Sequence, residues 1–241
     1  MKAVIIAAGM GNRLWAKTDK IPKTLLPYKN GTVLSTIINN LTQAGIDEII
    51  IVLGYNKTYI ENYLKENRVT GNKISFMTNS EWERGNGLSV YLTRELTNDE
   101  PFMLSMSDHI VPVSAIKRVI ESKKQTNLLL VDPKIDAIFD IDDATKVQLS
   151  GEKIINIGKE IRDYNYIDCG IFRLDSRFYQ AMENTLKAGQ ESISAAVNQL
   201  VASDDMEGIP MQDDEFWIDI DTPEAYKYAI EQKDKLLAGC C

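Results

Sequence analysis

Short apolar runs alternate with helical patterns through the first half of the chain. Residues 2–7 and 48–53 are continuous Ile, Val and Ala runs of the kind found in buried parallel strands. Between them, apolar residues recur at helical spacing over 33–44 and stop at Gly45, a common residue after a helix C-terminus. The same alternation predicts helices near 57–66, 87–97 and 112–123 and strands near 73–77, 101–106 and 127–131.

This order predicts an α/β fold: a Rossmann-like, doubly wound and mostly parallel sheet with right-handed crossovers. The pattern weakens after Pro133, and the acidic stretch 134–165 predicts a small hairpin or flap insertion lying over the sheet. Further strands and helices complete one domain over 1–241, with strands near 167–174 and 206–210 and helices near 176–187, 192–203 and 223–237.

Composition excludes several classes of partner. The formal net charge is −8 and no stripe of Lys or Arg is present, which argues against nucleic acid. No stretch approaches the roughly 18–20 apolar residues that span a bilayer, so no membrane segment is predicted. Cys169, Cys240 and Cys241 form neither a disulfide framework nor a zinc site, and they fit a reducing cytoplasm.

The loop after the first strand, Ala-Ala-Gly-Met-Gly-Asn-Arg-Leu over residues 7–14, has the features of a phosphate-binding loop. Gly9 and Gly11 let the backbone N–H groups approach an anion, and Arg13 adds a planar charged fork suited to phosphate oxygens. Leu14 stands where a dinucleotide fingerprint has its third glycine, and the P-loop ending is missing. A plain strand-to-helix turn is the alternative interpretation of this loop.

Two further polar segments follow in the first half. Pro22 and Pro27 hold Lys23 in an ordered, non-helical stretch; alone it would be a surface lysine, but the preceding loop favours a phosphate contact. Between the third strand and a helix, residues 79–89 offer amide and hydroxyl groups together with glycines that let the main chain approach a planar base. A polar loop with turn glycines is the alternative for this segment.

Carboxylates occur at two distant places. Asp108 follows the fourth strand, at the sheet edge where ligands bind. Asp219 and Asp221 alternate onto one face of a short strand, so the two segments together could hold Mg²⁺. Asp221 has a simpler alternative role as part of the cap of the last helix. His109, the single histidine, is interpreted as packing or supporting Asp108.

In the second half, Lys159 could bind a second phosphate and Asp168 could accept hydrogen bonds from hydroxyl groups of a polyol. Surface charge and a strand-end carboxylate are the respective alternatives.

The ordered set of motifs resembles the sugar-phosphate nucleotidyltransferase family. The matching segments are the glycine loop, the Pro-Lys pair, Gly-Asn-Gly-Leu-Ser, the aspartate after the fourth strand and Trp-Ile-Asp-Ile-Asp-Thr-Pro-Glu. Within the family, Glu-Arg-Gly-Asn-Gly-Leu-Ser, Ser-Asp-His and Ile-Asp-Cys-Gly-Ile-Phe are most similar to CTP:inositol-1-phosphate cytidylyltransferases. This resemblance spans nearly the whole chain.

The resemblance implies transfer of CMP from CTP to a phosphorylated small alcohol, most simply inositol 1-phosphate, giving CDP-inositol and pyrophosphate with Mg²⁺ as cofactor. It implies a nucleotide-binding half over 1–132 and an acceptor-binding half with the C-terminal helix over 133–241. Nucleotide contacts are expected from Ala7, Ala8, Gly9, Gly11, Asn12, Arg13, Lys23, Asn79, Gly85, Asn86 and Ser89. Arg13, Lys23 and Asp108 would be catalytic, Asp108, Asp219 and Asp221 would bind metal, and Lys159 and Asp168 would bind the acceptor.

Several alternatives stay open. Cys169 stands where similar enzymes often have threonine, so phosphocholine, an aminoalkylphosphonate or a hexose 1-phosphate could replace inositol 1-phosphate, with CTP or UTP. A catalytically silent regulatory relative would be expected to lose Arg13, Lys23 or a metal aspartate. An NAD-binding oxidoreductase would need an acidic residue closing the second strand, where Gly54 and Tyr55 stand. The oligomeric state, including a homodimer, is left open.

Overall fold

A computed structural model of the chain describes residues 1–15, 21–67, 69 and 73–232. The strands in these ranges are β1 (Lys2–Ala7), β2 (Pro27–Tyr28), β3 (Gly31–Thr32), β4 (Glu48–Leu53), β5 (Lys73–Thr78), β6 (Phe102–Met106), β7 (His109–Ile110), β8 (Asn127–Asp132), β9 (Lys146–Ser150), β10 (Lys153–Gly158), β11 (Tyr166–Leu174), β12 (Met206–Pro210) and β13 (Ile218–Asp219). The α-helices are α1 (Asn12–Trp15), α2 (Val33–Gln43), α3 (Lys57–Glu66), α4 (Asn86–Tyr91), α5 (Arg94–Thr97), α6 (Val113–Glu121), α7 (Ser176–Lys187), α8 (Ile193–Ala202) and α9 (Pro223–Glu231).

Nine strands form one sheet in the order β5-β4-β1-β6-β11-β8-β12-β10-β9. The first four are mutually parallel, and β8 and β12 are parallel to each other. Strand β11 runs antiparallel to both of its central neighbours, β6 and β8. The predicted α/β fold with a largely parallel sheet is therefore confirmed, and β11 makes the sheet mixed.

Alternate residues of the central strands enter two apolar layers, one on each face of the sheet. In β4, Ile49 and Ile51 pack into one layer with α2 and α6, and Ile50 and Val52 pack into the other with α7 and α8. Successive strand side chains point to opposite faces, and both faces are covered. This explains why these strands are continuous apolar runs in the sequence.

The predicted hairpin after residue 133 exists, but it lies in the sheet instead of over it. Strand β10 pairs with β12, and β9 pairs with the beginning of β11. Val147 and Ile157 are buried in the layer formed with α7 and α8, which provides the apolar reason for this placement. The hairpin therefore extends the edge of the sheet in the half of the chain that is predicted to bind the acceptor.

Two helix predictions need adjustment. The helix predicted near 87–97 is divided into α4 and α5, with Leu92 and Thr93 between them. The last helix, α9, is described to Glu231 with Gln232 as its cap. Residues 233–237 of its predicted span lie outside the described residues, as do Cys240 and Cys241. In the described part of the chain, every helix is too short or too polar to traverse a bilayer.

Three of the predicted loops lie at the same edge of the sheet because the strands before them are parallel. Because β1, β5 and β6 run the same way, the segments that follow them leave from one edge of the sheet. These segments are the glycine loop after Ala7, the loop after Thr78 and the turn containing Asp108. The fold thus places three of the predicted motifs at a common edge.

Candidate active site

An open cleft of about 1350 Å³, including solvent at its mouth, lies at this edge of the sheet. Predicted residues from both halves of the chain line it. They are Arg13, Asn86, Asp108, Lys159, Asp168, Asp219 and Asp221.

Lys23 reaches the carboxylates of two distant segments. It begins a 3-10 turn directly after Pro22, and its side chain is only 17% exposed. The ammonium group donates to Asp108 Oδ2 and, at 2.8 Å, to Asp221 Oδ1. Its aliphatic stem passes over Gly11, where an added Cβ would lie 3.0 Å from Lys23 Cδ. The glycine loop and the proline-anchored lysine are therefore neighbours in space.

Arg13 and Lys159 are joined by a carboxylate that the sequence did not single out. Asp143 accepts a hydrogen bond from Arg13 Nη2 at 2.9 Å and another from Lys159 Nζ at 2.7 Å. Arg13 also pairs with Asp221. Asp143 lies in an acidic stretch in which spacing alone distinguishes no single member, so only the fold could identify it. One carboxylate thus connects the predicted phosphate-binding loop with the predicted acceptor lysine.

A two-stranded sheet brings Asp219 to Asp108. Strands β7 and β13 pair antiparallel with Asp219 opposite His109, and Ile220 N donates to Asp108 O at 3.0 Å. Ligand atoms of Asp108, His109 and Asp219 all lie within 4.8 Å of one another. Asp219 Oδ1 is buried, lies 3.7 Å from His109 Nδ1 and accepts no hydrogen bond from the described residues. Because a buried carboxylate oxygen without a hydrogen bond is costly, this site fits a cation.

His109 holds Asp108 in position. Its ring stacks on Trp217 with centroids 5.4 Å apart, and Nδ1 lies 2.8 Å from Asp108 Oδ1. Burial disfavours the charged ring, but the nearby carboxylates of Asp219 and Asp108 outweigh it and raise the pKa of His109 to about 9. The expected support for Asp108 agrees with this geometry.

Asp108 and Asp219, the two carboxylates of this group, have opposite electrostatic surroundings. Burial opposes ionisation of Asp108, but the charge of Lys23 and the contact with His109 hold its pKa below the usual range. Burial and the charge of Asp108 raise the pKa of Asp219 despite the attraction of His109. A bound divalent cation would stabilise the ionised form of both carboxylates.

Gly170 makes room for the His109 ring. Its φ is +73°, and an added Cβ would lie 2.6 Å from His109 Cδ2. Gly170→Ala is expected to cost about 1–2 kcal/mol for the left-handed backbone and about 1–3 kcal/mol more for the clash. Thermal unfolding measures the loss of stability, and Mn²⁺ titration is expected to show weakened binding because His109 must move.

Gly151→Ala is the matched control for this prediction. Gly151 also has a positive φ, +61°, but no atom of the described part of the chain lies within 4 Å of its added Cβ. It should show the backbone cost alone and bind Mn²⁺ normally. Equal unfolding and Mn²⁺ titration curves for the two variants would contradict the packing role of Gly170.

The predicted base-side residues have different surroundings. Asn79 is 1% exposed and donates from Nδ2 to Ser89 Oγ at 3.0 Å, while its Oδ1 accepts from Glu81 N at 2.9 Å. The side chains of Asn79 and Ser89 therefore stabilise the conformation of the loop. Asn86 is exposed and lines the cleft. Nucleotide contacts by all three stay a prediction.

The glycine loop begins from the sheet edge. Ala7 and Ala8 are buried, and Ala8 O accepts a hydrogen bond from Tyr55 N at 2.9 Å. Among the described residues, nothing lies within 4 Å of a Cβ added to Gly9. The side chain of Asn12 lies outside the described part of the structure, and its predicted contact stays a prediction.

Asp168 and an aromatic wall, formed by Phe139, Phe216 and Tyr228, also line the cleft. Asp168 Oδ1 accepts from Gly170 N at 2.7 Å, and burial raises the pKa of Asp168 to about 6. Phe139 stacks on Tyr228 with centroids 5.1 Å apart, and Phe216 meets the same ring at 6.1 Å. The sequence analysis did not identify this wall, although Phe216 stands beside the predicted metal motif. An apolar face and a carboxylate in the same cleft suit the ring and the hydroxyl groups of a polyol.

Comparisons with known proteins agree with this architecture. Residues 2–235 match the family model described as nucleotidyl transferase. The bifunctional IPC transferase and DIPP synthase of Thermococcus kodakarensis is 32% identical over 230 residues, covering 95% of this chain and 49% of that protein. The protein of the same name from Aquifex aeolicus is 31% identical over 238 residues, covering 95% and 52%. This chain thus spans about half the length of these curated relatives.

Among solved structures, the inositol-1-phosphate CTP transferase from T. maritima superimposes with a TM-score of 0.86 at 25% identity. That match covers 100% of this chain and 97% of the other. The family match extends over both halves of the cleft and includes every predicted motif. The chain therefore belongs to the nucleotidyl transferase family of enzymes.

Proposed function

We propose that this chain transfers CMP from CTP to inositol 1-phosphate, releasing pyrophosphate and forming CDP-inositol with Mg²⁺ as cofactor. The observation that carries the proposal is the convergence of Lys23 on Asp108 beside Asp219, in one cleft with Arg13. The names of the curated relatives and of the T. maritima structure support inositol phosphate as the acceptor.

The charges of the cleft favour a divalent cation. Arg13, Lys23, Lys159 and the protonated ring of His109 bring positive charge, but four carboxylates contact or adjoin them. These are Asp108, Asp143, Asp219 and Asp221. Negative substrates entering such a site need additional positive charge, and Mg²⁺ prefers one or two carboxylates together with phosphate oxygens. Asp108 and Asp219 would hold it, with His109 orienting Asp108.

Mg²⁺ bound there would act as a Lewis acid that neutralises phosphate oxygens of the triphosphate. Asp221 contacts basic side chains instead. Its Oδ1 pairs with Lys23, and its Oδ2 pairs with Arg13. Among the described residues it is not part of the group of potential metal ligands. Its predicted metal role is thus kept as a hypothesis that a binding measurement can decide.

The reaction requires alignment and charge neutralisation more than proton transfer. An oxygen of the acceptor phosphate attacks the α-phosphorus in line, a new O–P bond forms, and the bond from the α-phosphorus to pyrophosphate breaks. Lys23 would stabilise the α-phosphate, and Arg13 would stabilise the departing pyrophosphate. Lys159 would hold the acceptor phosphate, and Asp168 would accept a hydrogen bond from an acceptor hydroxyl group.

The proposal is tested by measuring pyrophosphate release from ATP, CTP, GTP and UTP against a panel of acceptors. The panel contains inositol 1-phosphate, glucose 1-phosphate, phosphocholine and 2-aminoethylphosphonate. We expect release with CTP and inositol 1-phosphate, loss of release in EDTA and recovery with excess Mg²⁺. Preference for UTP with glucose 1-phosphate, or release that persists in EDTA, would overturn the corresponding part of the proposal.

A further inference from the structure

The predicted base-side loop, residues 79–89, contacts a part of the chain more than a hundred residues away. Its partner is the connection between α7 and α8, residues 188–192, called here the α7–α8 turn. The two segments approach so closely that a Cβ on Gly85 would lie 2.3 Å from Glu191 O and one on Gly87 would lie 2.7 Å from the same atom. Close packing against Glu191 therefore requires glycine at both positions, independently of any ligand.

Glu191 connects to the loop through both its main chain and its side chain. Its carbonyl oxygen accepts from Gly87 N at 2.9 Å, and its Oε2 accepts from Gly85 N at 3.2 Å. Its Oε1 accepts from Arg84 Nε at 2.9 Å and also pairs with Arg84 Nη2. Two of these bonds satisfy the N–H groups of Gly85 and Gly87 at the beginning of α4. They therefore fix the position of the loop relative to the α7–α8 turn.

The α7–α8 turn is itself rigidly held. Gly189, just after the C-terminal cap of helix α7, has φ +74°. Gln190 N donates back to Thr185 O at 2.8 Å. The next helix begins at once, with Ser192 Oγ accepting from Ala195 N at 3.1 Å. A turn fixed by helix caps on both sides can serve as a firm support for a neighbouring loop.

The contact continues into the cleft. Asn86 Oδ1 accepts from Ile193 N at 2.9 Å, and Asn86, Ile193 and Ser194 all line the cleft. With its carbonyl oxygen engaged in this way, Asn86 offers its amide N–H groups to a ligand, and these can donate only to acceptor atoms. A shift of Glu191 would therefore move a cleft-lining amide as well as the loop main chain.

We propose that Glu191 is a positioning residue for nucleoside triphosphate binding, setting the base-side loop and Asn86 through its bonds to Arg84, Gly85 and Gly87. This rests on the proposed function, because it assumes that residues 79–89 face the nucleotide. It assigns the α7–α8 turn, which belongs to the acceptor-binding half by sequence, to the nucleotide end of the cleft.

The test compares Glu191→Ala, Glu191→Gln and Glu81→Gln. Glu81 is the matched control because it also pairs with Arg84, at 2.7 Å, but makes no bond to the α7–α8 turn. Calorimetric titration with CTP measures binding without turnover, and steady-state kinetics give separate KM values for CTP and acceptor. Thermal unfolding measures the structural cost.

For Glu191→Ala we expect about tenfold weaker CTP binding and a matching rise in KM for CTP, with kcat and acceptor KM within about twofold of wild type. Glu191→Gln, which can still accept from Gly85 N, should recover most of the affinity, and Glu81→Gln should bind normally. Equal CTP binding by Glu191→Ala and wild type, or equal losses in Glu191→Ala and Glu81→Gln, would overturn the inference alone. A wild-type protein that binds no CTP would overturn the proposed function and, with it, this inference.

Discussion

Lys23→Met is expected to lower the rate of pyrophosphate release at saturating substrates by at least about 100-fold. Methionine keeps an unbranched apolar stem over Gly11 but removes the cation that pairs with Asp108 and Asp221. Charge that develops on the α-phosphate would then lose its nearest ammonium group. Steady-state assays with CTP and inositol 1-phosphate measure the effect.

The same substitution leaves two partly buried carboxylates without their cation, so stability needs a matched control. Lys124 pairs with Glu152 and Glu207, and its side chain is 23% exposed against 17% for Lys23. The carboxylates that pair with Lys124 do not line the cleft, whereas Asp108 and Asp221, which pair with Lys23, do. Lys124→Met should show a comparable change in melting temperature and unchanged turnover. Similar turnover in both lysine variants would remove Lys23 from the proposed chemistry.

Asp219→Asn is expected to weaken Mn²⁺ binding by at least about 100-fold, because it removes a charged oxygen from the group formed with Asp108 and His109. Electron paramagnetic resonance of free Mn²⁺ during titration measures the affinity without any substrate. Asparagine preserves the shape of the side chain, so far-ultraviolet circular dichroism should be unchanged.

Asp221→Asn is the control for this measurement. Because Asp221 pairs with Lys23 and Arg13, its substitution should leave Mn²⁺ affinity within about threefold of wild type while lowering turnover. If Asp221→Asn lost metal as strongly as Asp219→Asn, Asp221 would be a ligand and the assignment of the site would change accordingly.

The strands and helices with clear periodicity could be predicted from sequence. Strands β1 and β4 occur at the predicted residues, and α2 ends one residue earlier than predicted because Ala44 already serves as its cap. Apolar spacing indicates which face of an element is buried, and in these elements the observed burial agrees with the spacing.

The direction of β11 and the position of the hairpin could not be obtained in this way. A buried strand has the same apolar pattern whether its neighbours are parallel or antiparallel. The hairpin at Lys146–Ser150 and Lys153–Gly158 alternates in burial like any edge element, so its pattern does not distinguish a flap from an extension of the sheet.

Motifs in the candidate site were found where residue types are distinctive, and partners were missed where they are common. Lys23 follows a proline, Asp108 follows a buried strand, and Asp219 lies in an alternating strand segment. The structure brings them together, although their roles stay predictions. Asp143 and Glu191 carry no local signal, because a carboxylate in an acidic stretch or between helices is ordinary. Only the three-dimensional contacts of these residues identify them.

The central position of β11 limits how the enzyme can move. Strand β11 is hydrogen-bonded to β6 on one side and β8 on the other, and its first residues also pair with β9. A hinge between the two halves would have to break backbone hydrogen bonds on both sides of β11, so we expect little rotation of one half against the other. Closure around substrates is then expected to be local, and fluorescent labels on the outer strands β5 and β9 should keep a constant separation during turnover.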